Sequence, residues 1–302
     1  MILKTLRARP GKTGTRILLV LLLFLGRSTS QGQTLYGGYM MGGSNYQGEL
    51  QPEYFTFRGM RFATGISGMY AFNPYVAVSS ELMAGFLGVR DPYPQRNLNF
   101  SSHLFELTAG LRINLFYSRE FVFNPYVTGG PSLFHVNPFT YDQAGAKYFL
   151  YPLSTEGQGL DAYPDRPANR KLNYALNGGG GIELRVSKKI RMDVEVTFRK
   201  SFTDYIDDVS SYYPDEQILL AARGPKAVEL SYRADELPGY PIEFPSGLPR
   251  GRPGTDDWYH SFVIRFRYIL KDWALEQRYW NYLFKKRGWP YNQYKKGIFK
   301  KK

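Results

Sequence analysis

The chain has 302 residues, no cysteine and a formal net charge of +13, so disulfides, Cys-ligated metals and thiol nucleophiles are excluded. Aromatic residues make up 17% of it, with 25 Tyr, 21 Phe and 31 Gly, while the mean hydropathy is −0.38; apolar residues are therefore interleaved with polar ones, which excludes a helical membrane protein built from apolar blocks of about 20 residues. The charge is uneven: residues 1–32 carry six Lys/Arg and no acid, residues 271–302 carry ten Lys/Arg against Asp272 and Glu276, and residues 33–270 sum to −1, so a nucleic-acid-binding body is not supported.

In chain order, the first element is a secretory signal. Lys4, Arg7, Arg9, Lys12 and Arg16 make a basic start, Ile17 to Leu25 is a short apolar run, and Ser30-Gln31-Gly32 supplies the small residues that a signal peptidase reads. Cleavage is expected after Gly32, leaving residues 1–32 as signal peptide. The run is too short to span a bilayer comfortably.

From Gln33 to Leu270 the pattern is period-two alternation broken by turn clusters. It predicts eight strands, at about 34–43, 60–71, 75–90, 102–117, 125–137, 173–187, 190–200 and 259–270. Short links (Phe72-Asn73-Pro74, Ser118 to Asn124, Ser187 to Lys189) alternate with long ones (Ser44 to Gly59, Asp91 to Ser101, Pro138 to Leu172, Ser201 to Trp258). That rhythm is the one of bacterial outer-membrane barrels, with short periplasmic turns and long outer loops. The expected fold is therefore all-β: an eight-stranded antiparallel transmembrane β-barrel over residues 33–270, with long extracellular loops and a basic C-terminal tail at 271–302 in the periplasm.

The two faces of the strands differ in chemistry. Met192, Val194, Val196 and Phe198 alternate with Arg191, Asp193, Glu195, Thr197 and Arg199; Phe262, Ile264, Phe266, Tyr268 and Leu270 alternate with Ser261, Val263, Arg265 and Arg267. In a membrane barrel the apolar set faces lipid and the charged set faces inward. An eight-strand barrel leaves little room for water, so Arg61, Glu81, Glu106, Arg112, Glu183, Arg185, Arg191, Asp193, Glu195, Arg265 and Arg267 are expected to pair as an interior charge network, because an unpaired buried charge is costly.

Three further constellations bear on chemistry. His103, His135 and His260 lie near the outer ends of strands and could cluster as a metal site or a Ser–His–Glu site with Ser102 or Glu106, but their spacing specifies neither. Asp204, Asp207 and Asp208, with Asp215 and Glu216, open the longest loop; they could offer oxygen ligands to calcium, or pair with Arg199 and Lys200. Gly178 to Gly181 lacks a phosphate-loop pattern and reads as a kink inside a strand. No catalytic, cofactor or metal residue is assigned, and the chain is expected not to be an enzyme.

Several segments resemble a known family. They are Gly42-Gly43-Ser44-Asn45-Tyr46-Gln47-Gly48-Glu49-Leu50, Arg96-Asn97-Leu98-Asn99-Phe100 with His103-Leu104-Phe105-Glu106-Leu107, Asn124-Pro125-Tyr126-Val127, Phe134-His135-Val136-Asn137-Pro138, Pro152 to Gly159, Arg199 to Ser210, and Asp256-Asp257-Trp258-Tyr259. In these the chain is similar to the Bacteroidota outer-membrane barrels that include PorG of the type IX secretion system. The resemblance implies an anchor or accessory of a protein-secretion complex, with periplasmic ring proteins as partners and outer-membrane lipid around it. An outer-membrane enzyme acting on lipid or lipopolysaccharide, and a minor channel, are the alternatives. The tail lies outside the matched segments. Its Trp273, Trp280, Leu283 and Phe284 can share one helical face beside Lys285, Lys286 and Arg287, which suits either the inner leaflet or docking to a ring protein.

Overall fold

The computed structural model describes residues 33–93, 95–116 and 122–273. Among them are ten strands: β1 (Thr34–Gln47), β2 (Arg61–Ala71), β3 (Val76–Arg90), β4 (Asn99–Asn114), β5 (Phe123–His135), β6 (Phe139–Tyr141), β7 (Lys147–Phe149), β8 (Leu172–Arg185), β9 (Ile190–Ser201) and β10 (Trp258–Asp272). Eight of them follow one another round the sheet as β3-β2-β1-β10-β9-β8-β5-β4, and the pairing of β3 with β4, from Val76↔Ile113 to Arg90↔Asn99, closes it. The result is a closed, eight-stranded antiparallel barrel without a free edge. The remaining two, β6 and β7, form a small hairpin in the third long loop, tied to β4 at Ser101↔Phe139.

Alternation decides which side of each strand faces where. Leu107, Ile113, Phe266, Tyr268 and Leu270 are exposed on the outside, whereas Arg112, Asp193, Glu195, Arg265 and Arg267 are buried inside. A water-soluble barrel would reverse these faces; apolar out and charged in is the arrangement of an outer-membrane barrel. Outward rows run continuously across the wall, as in Ile66↔Leu82, Leu82↔Leu107, Leu107↔Leu133 and Leu133↔Tyr174. The four-glycine run lies within β8, where the strand is squeezed between its neighbours. A Cβ on Gly179 would sit 2.2 Å from the Val196 carbonyl, and one on Gly181 would sit 2.4 Å from that of Val194 and 2.8 Å from the Tyr126 hydroxyl. Only glycine allows that approach.

Some boundaries differ from the sequence expectation. Ser44 to Gln47 continues β1 rather than opening a loop, and β4 starts at Asn99 and ends at Asn114 rather than spanning 102–117. The last strand runs to Asp272, two residues into the segment assigned to the tail. The longest loop carries helices at Glu216–Arg223 and Pro225–Ser231. Asp215 caps the first of them, accepting from the Gln217 and Ile218 amides. The signal peptide 1–32 lies outside the described residues.

Near the long-loop end the interior changes character. Met40, Ala63, Met83, Leu87, Leu104, Phe134 and Tyr259 replace the charges and pack with Leu50, Leu98, Ile206, Val209 and Leu230 from the loops. The loops are thus an ordered cap whose apolar residues continue the barrel core.

Candidate functional site: a sealed interior beneath a buried acidic cap

The lower interior is filled by ion pairs. Asp193 and Arg265 are cross-strand partners on β9 and β10, and Glu183 lies opposite Asp193 on β8. Arg112, from β4 across the lumen, places Nη2 2.8 Å from Glu183 Oε2 and Nη1 3.3 Å from Asp193 Oδ1. Its guanidinium lies 3.5 Å from the centre of the Tyr126 ring. Arg267 Nη2 donates to the same two carboxylates, at 2.7 Å and 2.6 Å. Arg265 bridges Glu195 at 3.0 Å and Glu81 at 2.8 Å. One layer higher, Arg199 meets Glu106 at 3.1 Å, and the Tyr259 hydroxyl donates to the other Glu106 oxygen at 2.7 Å. Arg191 reaches Glu183 at 3.9 Å near the short-turn rim. Glu81, Glu106, Glu183, Asp193 and Glu195 thus face an equal set of arginines, and the charge is balanced within the lumen. A cavity of about 10 Å³ lies between Ser67, Ser79, Glu81, Arg112, Thr128 and Arg265, which is room for about one water.

One residue expected in this network sits differently. Arg61 is exposed at the outer end of β2, where its Nε donates to the Gly88 carbonyl; the first residue of a strand lies at the mouth, not in the lumen. Arg185, half-buried, ends β8 opposite Arg191. Arg199, which the sequence reading set against the loop acids, belongs inside with Glu106 instead, and Lys200 reaches Asp256 at 3.8 Å. Its inward parity on β9 was the signal for that placement.

Above the lumen the balance is lost. The Tyr46 hydroxyl lies 2.7 Å from both Asp207 Oδ2 and Asp257 Oδ1. A hydroxyl carries one proton, so when it donates to one carboxyl the other must itself be protonated to complete the second bond. Asp257 also accepts from the Ile206 amide, and Asp207 from the Val209 amide. Glu49, Asp204 and Asp257 bring carboxylate oxygens within 4.8 Å of one another. Burial, with Asp207 and Asp204 nearby, pushes the Glu49 carboxyl up to about 9. Burial likewise raises Asp204, Asp207 and Asp208 to about 7 each, and Asp257 well above the usual carboxylate range, with Asp207 and Glu49 adding to it. Protons neutralise such a cluster, and Glu49, Asp204 and Asp257 offer the oxygen chemistry that a hard divalent cation takes.

Of the acids singled out from the sequence as possible calcium ligands, Asp204 alone joins that trio. Asp208 instead accepts from Thr155 and Asn169, Asp215 caps a helix, and Glu216 is exposed. A neighbouring hub is centred on Glu156, which is fully buried. It accepts from the Ser210 and Ser211 amides, the Ser211 hydroxyl and Arg250, the last at 2.9 Å. Arg250 in turn donates to the Asp208 and Ser231 carbonyls, so the third and fourth long loops are tied together by one buried ion pair.

The histidines do not meet. His103 is exposed on the outer face, its ring 5.0 Å from that of Phe86 and 6.0 Å from that of Phe139; His135 lies against Phe105. His260 is buried under the first loop, between Phe55 and Phe198, with Nε2 3.2 Å from the Thr56 carbonyl. Of the proposed contact residues of the tail, Trp280, Leu283, Phe284, Lys285, Lys286 and Arg287 lie outside the described residues.

No known family model matches the chain, and no curated relative does. Among solved structures it is similar to Neisserial surface protein A (10% identity, TM-score 0.38, covering 80% of this chain and 100% of that one). It is also similar to the N-terminal β-barrel domain of Pseudomonas aeruginosa OprF (10% identity, TM-score 0.34, 79% and 100%). A third is Ail, the attachment invasion locus protein of Yersinia pestis (9% identity, TM-score 0.35, 79% and 99%).

Proposed function

We propose that this chain is a non-enzymatic outer-membrane barrel that anchors or assists a protein-secretion complex of the type IX, PorG-like kind. The observation that supports it is the filled lumen: ion pairs from Arg112 to Arg267 occupy the space that a channel would keep open. The residues named for a hydrolase do not converge either: His103 lies against Phe86, His135 against Phe105 and His260 against Phe55, while Glu106 is held in the lumen by Arg199 and Tyr259 and the Ser102 hydroxyl donates to the His103 carbonyl. A filled barrel serves as a rigid membrane plug carrying loops outside and a basic aromatic tail in the periplasm. In this reading the tail docks to ring proteins of the machine, and the type IX assignment rests on the sequence resemblance.

The test is affinity purification from crosslinked envelopes of the full chain and of a chain ending at Trp273, which keeps β10 whole. Both should give heat-modifiable barrel in the outer membrane. The shortened chain should lose copurifying periplasmic components and impair secretion. Normal secretion with an intact complex would reject the docking role and leave the tail as a lipid contact.

A further inference from the structure

We propose that the cleft between the first two long loops, above β2 and β3, binds the phosphate headgroup of an anionic membrane lipid. The cleft has a volume of about 860 Å³ and is lined by Arg58, Arg61 and Arg90, which suits a headgroup better than a lone ion. All three arginines are exposed. The lumen arginines are matched by carboxylates, yet among the described residues none of these three has a carboxylate within ion-pair distance; the side-chain bond of Arg61 goes to the Gly88 carbonyl. Two acids line the same cleft. Asp91 is already held by Arg96 at 2.6 Å and by the Tyr93 amide, which leaves Glu53 as the opposing charge and the cleft net positive.

A second, independent feature points the same way. Gln51 also lines the cleft and is 7% exposed, and its side-chain Nε2 donor has no hydrogen-bond partner. A buried donor without an acceptor is costly. Three guanidiniums and a vacant amide donor are all hydrogen-bond donors, and guanidinium forks match phosphate oxygens in geometry as well as charge.

Position selects a lipid as the source of that phosphate. Arg61 opens β2 and Arg90 ends β3. One step further along these strands, beside the Ala63↔Gly85 pair, Phe62 and Phe86 are exposed, followed by Ile66 and Leu82 on the outer wall. A headgroup in the cleft therefore has an apolar surface beneath it for its acyl chains, at the leaflet on the long-loop side.

The experiment uses the full chain in nanodiscs of phosphatidylcholine with and without phosphatidylglycerol, with native mass spectrometry counting retained lipid. The wild type should retain phosphatidylglycerol preferentially. The Arg58→Gln/Arg61→Gln/Arg90→Gln triple variant should lose that preference by about tenfold or more, since charge-assisted hydrogen bonds are removed. A Lys188→Gln/Lys189→Gln variant, altered at the short-turn end, should keep it, and heat-modifiable mobility should show all of them folded. Equal retention by the triple variant, or loss in the lysine variant, overturns the proposal. Displacement of the lipid by millimolar inorganic phosphate also overturns it, in favour of a soluble phosphate ligand.

Discussion

The lumen and the cap both bury several carboxylates, and they neutralise them by different means. In the lumen each acid has an arginine: Asp193 and Glu183 share Arg112 and Arg267, Glu195 and Glu81 share Arg265, and Glu106 has Arg199. In the cap, Glu49, Asp204, Asp207 and Asp257 crowd round one tyrosine hydroxyl and one another. Guanidinium stays charged at any working pH, so each lumen acid keeps a counter-charge. The cap acids have none among themselves and rely on protons. The same barrel therefore buries two sets of carboxylates, one matched by arginines and one by protons.

The largest effect that separates the two regions is expected from Arg267→Leu. It leaves fully buried Asp193 and its neighbour Glu183 to share Arg112, with one negative charge in excess, and should destabilise the barrel by about 4 kcal/mol, read as a lower urea midpoint for loss of heat-modifiable mobility. Glu156→Leu comes next. It leaves Arg250 buried without its carboxylate, at a cost of about 3 kcal/mol. That cost falls on the cap: proteolysis of the third and fourth long loops should accelerate while barrel mobility is unchanged. Unfolding of the whole barrel by Glu156→Leu would show that cap and wall are not separable.

The pH response is smaller and has a definite sign. Asp204, Asp207 and Asp208 are held near 7 in the folded cap, above the ordinary value of about 4. The folded cap then binds more protons than the unfolded one between these limits, so its stability is full below about pH 4, falls as pH rises through 7, and falls further towards 9 as Glu49 loses its proton. Loop cleavage of the wild type relative to Asp207→Asn, compared at each pH, should be lower at pH 5 than at pH 8. A ratio independent of pH would mean that these acids are neutralised by something other than protons. The smallest effect belongs to Phe266→Leu, one residue from Arg265 and Arg267 but exposed on the outer face; it should cost less than about 1.5 kcal/mol. If it proves more damaging than Arg267→Leu, the two faces of the wall are assigned the wrong way round.

The barrel was legible because alternation is local. Arg265, Phe266 and Arg267 declare their faces within three residues, and each interior charge then needs a partner of opposite sign. The mouth was less legible. Ser44 to Gln47 has the polar composition of a turn, yet it continues β1, with the Ser44 hydroxyl donating to the Phe86 carbonyl. Arg61 shares a parity with buried Ala63, yet it opens the strand and lies at the rim. The acidic cluster was out of reach, because Tyr46 meets Asp207 and Asp257 across 161 and 211 positions, and no periodic pattern links loops to one another. The helix at Glu216–Arg223 did leave a signal in the Asp215-Glu216 start that could have been read as a cap.

The claim on which the rest depends is that the lumen is sealed by its own ion pairs, and electrical recording tests it most directly. Purified full-length protein inserted in a planar lipid bilayer, with insertion verified by heat-modifiable mobility of the same preparation, should give no steady single-channel conductance above the bare membrane. Arg112→Ala/Arg267→Ala, which opens the centre of the network, should admit ions if it folds. A stable, ohmic open level in the wild type would contradict the account, because a lumen filled from Arg112 to Arg267 has no path for a hydrated ion.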